Sequence, residues 1–155
     1  MIAIGSDPGG VERKNFLVGF LRAKAIRVRN FVTHGRKSVD YPDCGREVSL
    51  RVSQRKAERV LICPSGIGIS IAVNEFPGIR AALVQGREAV RANREHNHPN
   101  ILVLRGAKSE RSSGQQILDI RLATSFAGGR HQRRLDKITQ IEHGLGIPIG
   151  SKAQS

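Results

Sequence analysis

Residues 59–70, RVLICPSGIGIS, run from a continuous apolar stretch through a cysteine and a proline into a glycine-spaced turn. A run such as RVLIC, with no polar alternation, suits a strand covered on both faces, as in the centre of a parallel sheet. Gly66 and Gly68 mark its end, and a helix is expected over 66–75. The pattern returns downstream. IRAALV (79–84) and NILVL (100–104) are further apolar runs, while 86–95 and 108–123 have the length and charge of crossover helices. Strand and helix alternating in this order predict a doubly wound α/β fold, a parallel sheet between layers of helix.

The upstream residues extend the alternation. MIAIG (1–5) is a short strand that ends at the turn cluster Ser6–Gly10. From Val11 to Lys24, Phe16, Leu17, Phe20 and Leu21 share one helical face opposite Glu12, Arg13, Lys14 and Arg22. AIRVRNF (25–31) alternates apolar and basic residues, as an edge strand with a solvated face would. Residues 32–44 are predicted as a polar loop. In GREVSLRVSQRKAE (45–58), Val48, Leu50 and Val52 alternate like a strand, but the length and charges favour a helix, which is the expectation adopted. GGRHQRRLDKITQIEHG (128–144) reads as a glycine break followed by a basic amphipathic helix bearing Leu135, Ile138 and Ile141. One domain is expected over 1–143, with a loose tail over 144–155.

Composition narrows the function classes. The chain has 155 residues, enough for one core, and no apolar run approaches the roughly 18 residues of a membrane span. The N-terminus lacks the basic segment and apolar stretch of a secretory signal, so a soluble cytoplasmic protein without membrane contact is expected. Cys44 and Cys63 lack metal-type spacing and read as free thiols. Lys and Arg number 26 against 13 Asp and Glu, a formal charge of +13 that favours anionic partners. Aromatics are only 4% and no nucleic-acid motif is present, so a small phosphorylated ligand is preferred over a nucleic acid.

Ligands of open parallel sheets sit beyond the carboxyl ends of the strands. Two loops qualify there, GSDPGG (5–10) and PSGIGIS (64–70), and neither is a dinucleotide fingerprint or a P-loop. Cys63 stands where a strand meets a helix N-terminus, a position that can lower a thiol's pKa; it is otherwise a small buried hydrophobe. Ser65 either donates to a ligand or caps the following helix. Gly66 and Gly68 either admit backbone donors to an oxyanion or simply form a tight turn. In REHNHPN (94–100), His96 can transfer a proton and Asn97 can orient an oxyanion, or both are solvated helix-end residues. Arg130 and Arg134, four apart, can clamp one phosphate or merely belong to a basic helix.

Taken together, AIGSD with Gly9 and Gly10, VDYPD, LIC.SGIGISIA.N, PGIRAAL, REHN with NILVL, and GGRHQ.R resemble the ribose 5-phosphate isomerase B family, which includes the galactose 6-phosphate isomerase subunits. The resemblance runs in register from Met1 to about Ile141. It implies a Rossmann-like α/β/α sandwich with a five-stranded parallel sheet, and a homodimer or dimer of dimers whose site lies at the interface. It further implies a cofactor-free and metal-free aldose–ketose isomerase acting through an enediolate. By that match Cys63 is the base, Ser65 supplies a hydroxyl, and Gly66, Ile67, Gly68, Ile69 and Ser70 cradle the enediolate. His96 opens the sugar ring, Asn97 holds the intermediate, Asp7 and Tyr41 contact the sugar, and Arg130 and Arg134 bind phosphate. The sequence departs from the family at Pro8, where a histidine is usual, and at Pro64, where a glycine is usual. These departures leave a noncatalytic or specificity-altered sugar-phosphate-binding paralogue as the alternative, and the charge leaves a polyanion-binding protein as a more distant one.

Overall fold

The structure is a computed structural model that describes residues 1–31, 40–50, 58–106 and 111–144. Five strands form one all-parallel sheet: β1 (Ile2–Ser6), β2 (Val28–Phe31), β3 (Glu58–Cys63), β4 (Ala81–Leu83) and β5 (Ile101–Arg105), in the order β2-β1-β3-β5-β4. The helices are α1 (Val11–Ala23), α2 (Tyr41–Leu50), α3 (Ile67–Asn74), α4 (Arg87–Asn97), α5 (Arg111–Ala123) and α6 (Arg130–Glu142), with a short 3-10 turn at Pro8–Gly10. This is the expected Rossmann-like sandwich.

Strand alternation divides the core into two layers. Val60, Ile62, Leu102 and Leu104 face one side and pack with Leu17, Leu21, Ile117 and Leu118 of α1 and α5. Their neighbours Leu61, Cys63, Ile101 and Val103 face the other side and meet Cys44, Val48, Ile69 and Val73 of α2 and α3. The three central strands are therefore buried on both faces, which is why they read as unbroken apolar runs. AIRVRNF becomes the edge strand β2, only partly buried, as its alternation predicts.

Two expectations change at the boundary of α2. The predicted loop at 32–44 gives way to helix from Tyr41, because Pro42 and Asp43 occupy a first turn, where proline needs no amide partner and an acid meets the positive end of the helix dipole. The helix expected over 45–58 is present as far as Leu50, and its last position, Glu58, instead opens β3; residues 32–39, 51–57, 107–110 at the start of the helix expected over 108–123, and 145–155 of the expected tail lie outside the described residues. Among the described residues, no helix is long and apolar enough to cross a membrane.

Since β2 lies on one side of β1 and β3 on the other, the carboxyl ends of β1 and β3 flank a topological switch point. Both candidate loops leave from these two strand ends.

Candidate functional site

At the carboxyl end of the sheet, three strand termini approach closely. The Asp7 amide donates to the Ile62 carbonyl at 3.2 Å, and the Gly106 amide to the Cys63 carbonyl at 2.8 Å. A Cβ on Gly10 would lie 2.6 Å from the Ile62 oxygen, and one on Gly106 3.2 Å from the Gly10 Cα. Only glycine permits this convergence. Asp7 caps the 3-10 turn, its Oδ1 accepting the Gly10 amide at 2.9 Å.

The two unusual prolines fit this geometry. Pro8 takes the first position of the 3-10 turn, where a missing N–H costs nothing and a fixed φ is pre-set. Pro64 requires the residue before it to be extended, and Cys63 is already the last residue of β3. The two loops also touch, since a Cβ on Gly9 would meet the Pro64 Cγ at 2.5 Å.

Cys63 is a free thiol, 5% exposed, on the α2/α3 face of the sheet. Position suggested a lowered pKa, but the pKa is raised. Burial is the largest cause, followed by the hydrogen bond to the Asp7 carboxylate, while the Gly66 and Ser65 amides pull it down less. The thiol therefore rests protonated against Asp7. A helix N-terminus stabilises a thiolate only to the extent that its amides outweigh lost hydration and a neighbouring carboxylate.

The loop after Cys63 turns through Gly66, whose φ of +75° is left-handed and whose missing Cβ leaves room for Leu83. Ser65 precedes the N-cap Gly66, and its Oγ accepts the Ile67 amide at 3.2 Å. Ser70 is engaged inside α3, with its amide on the Gly66 carbonyl at 3.2 Å and its hydroxyl on the Ile67 carbonyl at 2.7 Å. Ile69 is fully buried, so only its backbone faces the loop, whereas the Ile67 side chain is exposed. Gly68 and Ile69 stand second and third in α3, where the helix offers their amides no acceptor, so these two are the donors best placed for an oxyanion. The Tyr41 ring lies over Gly68, whose Cβ would fall 2.7 Å from Cζ.

His96, Asn97, Arg130 and Arg134 are at the other end of the sheet. A crossover helix starts near the carboxyl ends of the strands and returns to the amino ends, so the last turn of α4 lies beside the start of β3 and β5. Arg94 pairs with Glu58, the first residue of β3, at 3.0 Å, and the Asn100 amide donates to the Arg80 carbonyl at 3.0 Å. From Glu58 to Cys63 is five strand steps, about 17 Å.

This second cluster is built from side chains. The His96 and His131 rings stack with centroids 4.3 Å apart and planes 9° from parallel, joining the end of α4 to the start of α6. Arg130 Nε lies 3.5 Å from His131 Nε2, while the buried His131 Nδ1 has no hydrogen-bond partner. Burial holds the His131 pKa below the usual imidazole range, and His96, Arg130 and Arg134 push it the same way. Sequence reasoning singled out the two arginines and passed over His131 between them. Its signal was present in RHQRR, where position 131 follows Arg130 at the start of a helix close to α4. Among the described residues, no group of three or more His, Cys, Asp or Glu side chains is arranged to hold a metal ion.

A single chain thus carries two separate polar clusters at opposite ends of the sheet: an acid–thiol pair beside backbone amides, and a histidine pair beside Arg130 and Arg134. The model of the family described as Ribose/Galactose Isomerase matches residues 2–138. Ribose-5-phosphate isomerase B of Escherichia coli K12 is 34% identical over 142 residues, covering 91% of this chain and 95% of that protein. The solved ribose-5-phosphate isomerase B of Clostridium thermocellum is 42% identical, covers 94% of this chain and 99% of its own, and superposes with a TM-score of 0.86. That of Mycoplasma genitalium, solved with bound ribulose 5-phosphate, is 34% identical over 92% of this chain and 95% of its own, with a TM-score of 0.84.

Proposed function

Because the chain belongs to the ribose/galactose isomerase family and is an aldose–ketose isomerase of sugar phosphates, we propose that it interconverts ribose 5-phosphate and ribulose 5-phosphate at a site shared between two copies of the chain. The observation that carries this reading is the separation of the half-sites: Cys63 and His96 cannot reach one small sugar within one chain, being at opposite ends of the sheet. A homodimer that sets the Cys63 end of one copy against the His96 end of the other completes the site, and a two-fold axis makes two such sites. Ribulose 5-phosphate in the Mycoplasma genitalium relative supports the choice of substrate.

Arg130 and Arg134 hold the phosphate by charge-assisted hydrogen bonds, and Asn97 and Tyr41 orient the sugar. His96, held in place by its stack on His131, moves the proton that opens the furanose ring. Asp7 takes the Cys63 proton, and the thiolate then removes the proton at C2. The electrons of that C–H bond move toward the C1 carbonyl oxygen, giving an enediolate. The Gly68 and Ile69 amides meet this charge as it develops. Ser65, whose oxygen is already accepting the Ile67 amide, keeps its hydroxyl proton for exchange between O1 and O2. Cys63 gives the abstracted proton to C1, which completes the ketose, and then takes its own proton back from Asp7, restoring the resting thiol and carboxylate. Catalysis needs the raised thiol pKa, since a base that rests protonated is a stronger base once the substrate site is closed to water.

Two variants test the shared site. Cys63→Ala and the double variant Arg130→Ala/Arg134→Ala should each lose isomerisation of ribose 5-phosphate. Co-expressed, they should regain about a quarter of wild-type activity, because half of randomly mixed dimers carry one intact site of two. No recovery in co-purified mixed dimers would place all the groups in one chain, against the proposal. A wild-type protein that leaves ribose 5-phosphate unchanged would overturn the substrate.

A further inference from the structure

The loops that leave β1 and β3 meet where Gly9 faces Pro64. A Cβ on Gly9 would lie 2.5 Å from the Pro64 Cγ and 3.2 Å from its Cδ, with Asp7 Oδ1 next at 3.7 Å. The backbone of Gly9 does not demand glycine, since its φ lies outside the positive range. The ring of Pro64 is what excludes a side chain at position 9. That ring can pucker but cannot swing away, because it is closed onto its own backbone nitrogen.

The contact joins the two segments that carry the acid and the thiol. Gly9 sits within the Pro8–Gly10 turn that Asp7 caps, with Asp7 Oδ1 accepting the Gly10 amide at 2.9 Å. Pro64 is bonded to Cys63, whose carbonyl accepts the Gly106 amide at 2.8 Å, and the Asp7 amide is fixed on the Ile62 carbonyl at 3.2 Å. The ring on Gly9 adds a tie between these anchored backbones on their outer side: Asp7 and Cys63 are buried, whereas Pro8, Gly9, Pro64 and Ser65, which follow them in the chain, are exposed. Burial and the hydrogen bond to Asp7 keep the thiol protonated, so the state of the pair depends on how closely the two loops are held.

We propose that Gly9 and Pro64 are a matched pair of positioning residues: the Pro64 ring, seated where a side chain at position 9 would stand, holds the Cys63 thiol against Asp7. For its effect on rate, the inference rests on the reading of Cys63 as the base. In Gly9→Ala the new methyl must push the ring back by about 1 Å to reach an ordinary carbon–carbon contact of about 3.5 Å. Pro64 has a fixed φ and confines Cys63 before it to extended backbone, so the push is passed to Cys63 rather than absorbed in the loop. A displacement on that scale costs about 10- to 100-fold in rate where reacting atoms must be aligned. Loss of the ring removes the obstacle, so Gly9→Ala is tolerated once Pro64→Gly is present.

The test compares Gly9→Ala, Pro64→Gly and the double variant as full-length proteins, each checked for folding by far-UV circular dichroism. Alkylation of Cys63 by iodoacetamide across pH, read by peptide mass spectrometry, reports the thiol independently of activity. Cys44, buried in α2 with its pKa pushed up to about 11, is followed in the same digest. In Gly9→Ala the Cys63 profile should move to lower pH, because a thiol parted from the Asp7 carboxylate ionises more easily, while the Cys44 profile stays in place. The kcat for ribose 5-phosphate should fall about 10- to 100-fold with little change in KM. Pro64→Gly should shift both readouts the same way by a smaller step, and the double variant should match Pro64→Gly rather than Gly9→Ala. A Cys63 profile left unchanged in folded Gly9→Ala and Pro64→Gly overturns the proposal, and so does a double variant as impaired as Gly9→Ala. Should Gly9→Ala alone fail to fold, the double variant must fold and Pro64→Gly must still move the Cys63 profile, or the proposal falls. A shifted profile in a protein whose Cys63→Ala variant stays active keeps the positioning pair and removes Cys63 as the base.

Discussion

The two ends of the sheet are made of different material. At the carboxyl end the candidate groups are backbone amides and one thiol, fixed where Asp7, Cys63 and Gly106 bring three strand ends together. At the amino end they are long or aromatic side chains: the stacked His96 and His131, Arg130 beside them, and the arginines around Glu58. Backbone donors cannot change rotamer, so the first end is pre-set for a charge that appears only during reaction. Side-chain cations crowded together respond to what binds them, so the second end is suited to gripping an anion that arrives already charged. An isomerase of sugar phosphates needs both properties.

The largest effect separating the two ends is expected at Cys63. Cys63→Ala should lower kcat/KM for ribose 5-phosphate by 10²–10⁴-fold, roughly the range for loss of a general base, while phosphate binding at the other end stays intact. Exchange of the C2 proton with deuterated solvent, followed by NMR, should vanish with the activity. A variant that still exchanges that proton would move the base elsewhere.

Next comes tolerance to a single added methyl. Gly10→Ala places a Cβ 2.6 Å from the Ile62 carbonyl oxygen, an atom of the central strand that cannot swing aside, and should cost about 1–3 kcal/mol in denaturant unfolding. The three atoms nearest an added Cβ in Gly68→Ala all belong to the Tyr41 ring, a side chain able to turn away, so the variant should leave stability nearly unchanged and raise KM instead. If Gly10→Ala unfolds at wild-type denaturant concentration, the carboxyl end is less rigid than its contacts imply. Gly19 has nothing within 4 Å of an added Cβ and lies inside α1, so Gly19→Ala should stabilise by about 0.5–1 kcal/mol.

The same contrast explains what sequence could reveal. Central strands betray themselves because burial on both faces removes polar alternation, so β1, β3 and β5 fall where RVLIC and its counterparts predict. Cys63 and its glycines stand out for a similar reason, as local features of one strand-to-helix turn. The amino-end groups are not local. Arg121 and Glu58 are 63 residues apart, and nothing in the amphipathic pattern of α5 marks Arg121 as buried. The helical stretch from Tyr41 hid behind Pro42 and Asp43, residues typical of turns that serve equally well in a first helical turn. Most consequential was the direction of α4. Its place after a parallel strand puts His96 at the opposite edge from Cys63, a deduction that topology allows but residue spacing alone does not.

The smallest predicted effect concerns protons at the amino end. His131 has its folded-state pKa depressed, by burial first and then by His96, Arg130 and Arg134. A histidine so placed favours the neutral form in the folded chain, so its contribution to stability is present above the unfolded imidazole pKa, about 6.5, and is lost as pH falls through the lower folded value. Proton NMR of the imidazole should show His131 titrating below the usual imidazole range. Phosphate added near pH 7 should raise the His131 pKa, since an anion between Arg130 and Arg134 cancels two of the charges that depress it. The Arg130→Ala/Arg134→Ala variant should start higher and show no such response. A phosphate-induced rise that survives loss of both arginines would mean the anion reaches His131 by another route, and the phosphate grip would have to be assigned to the histidine pair itself.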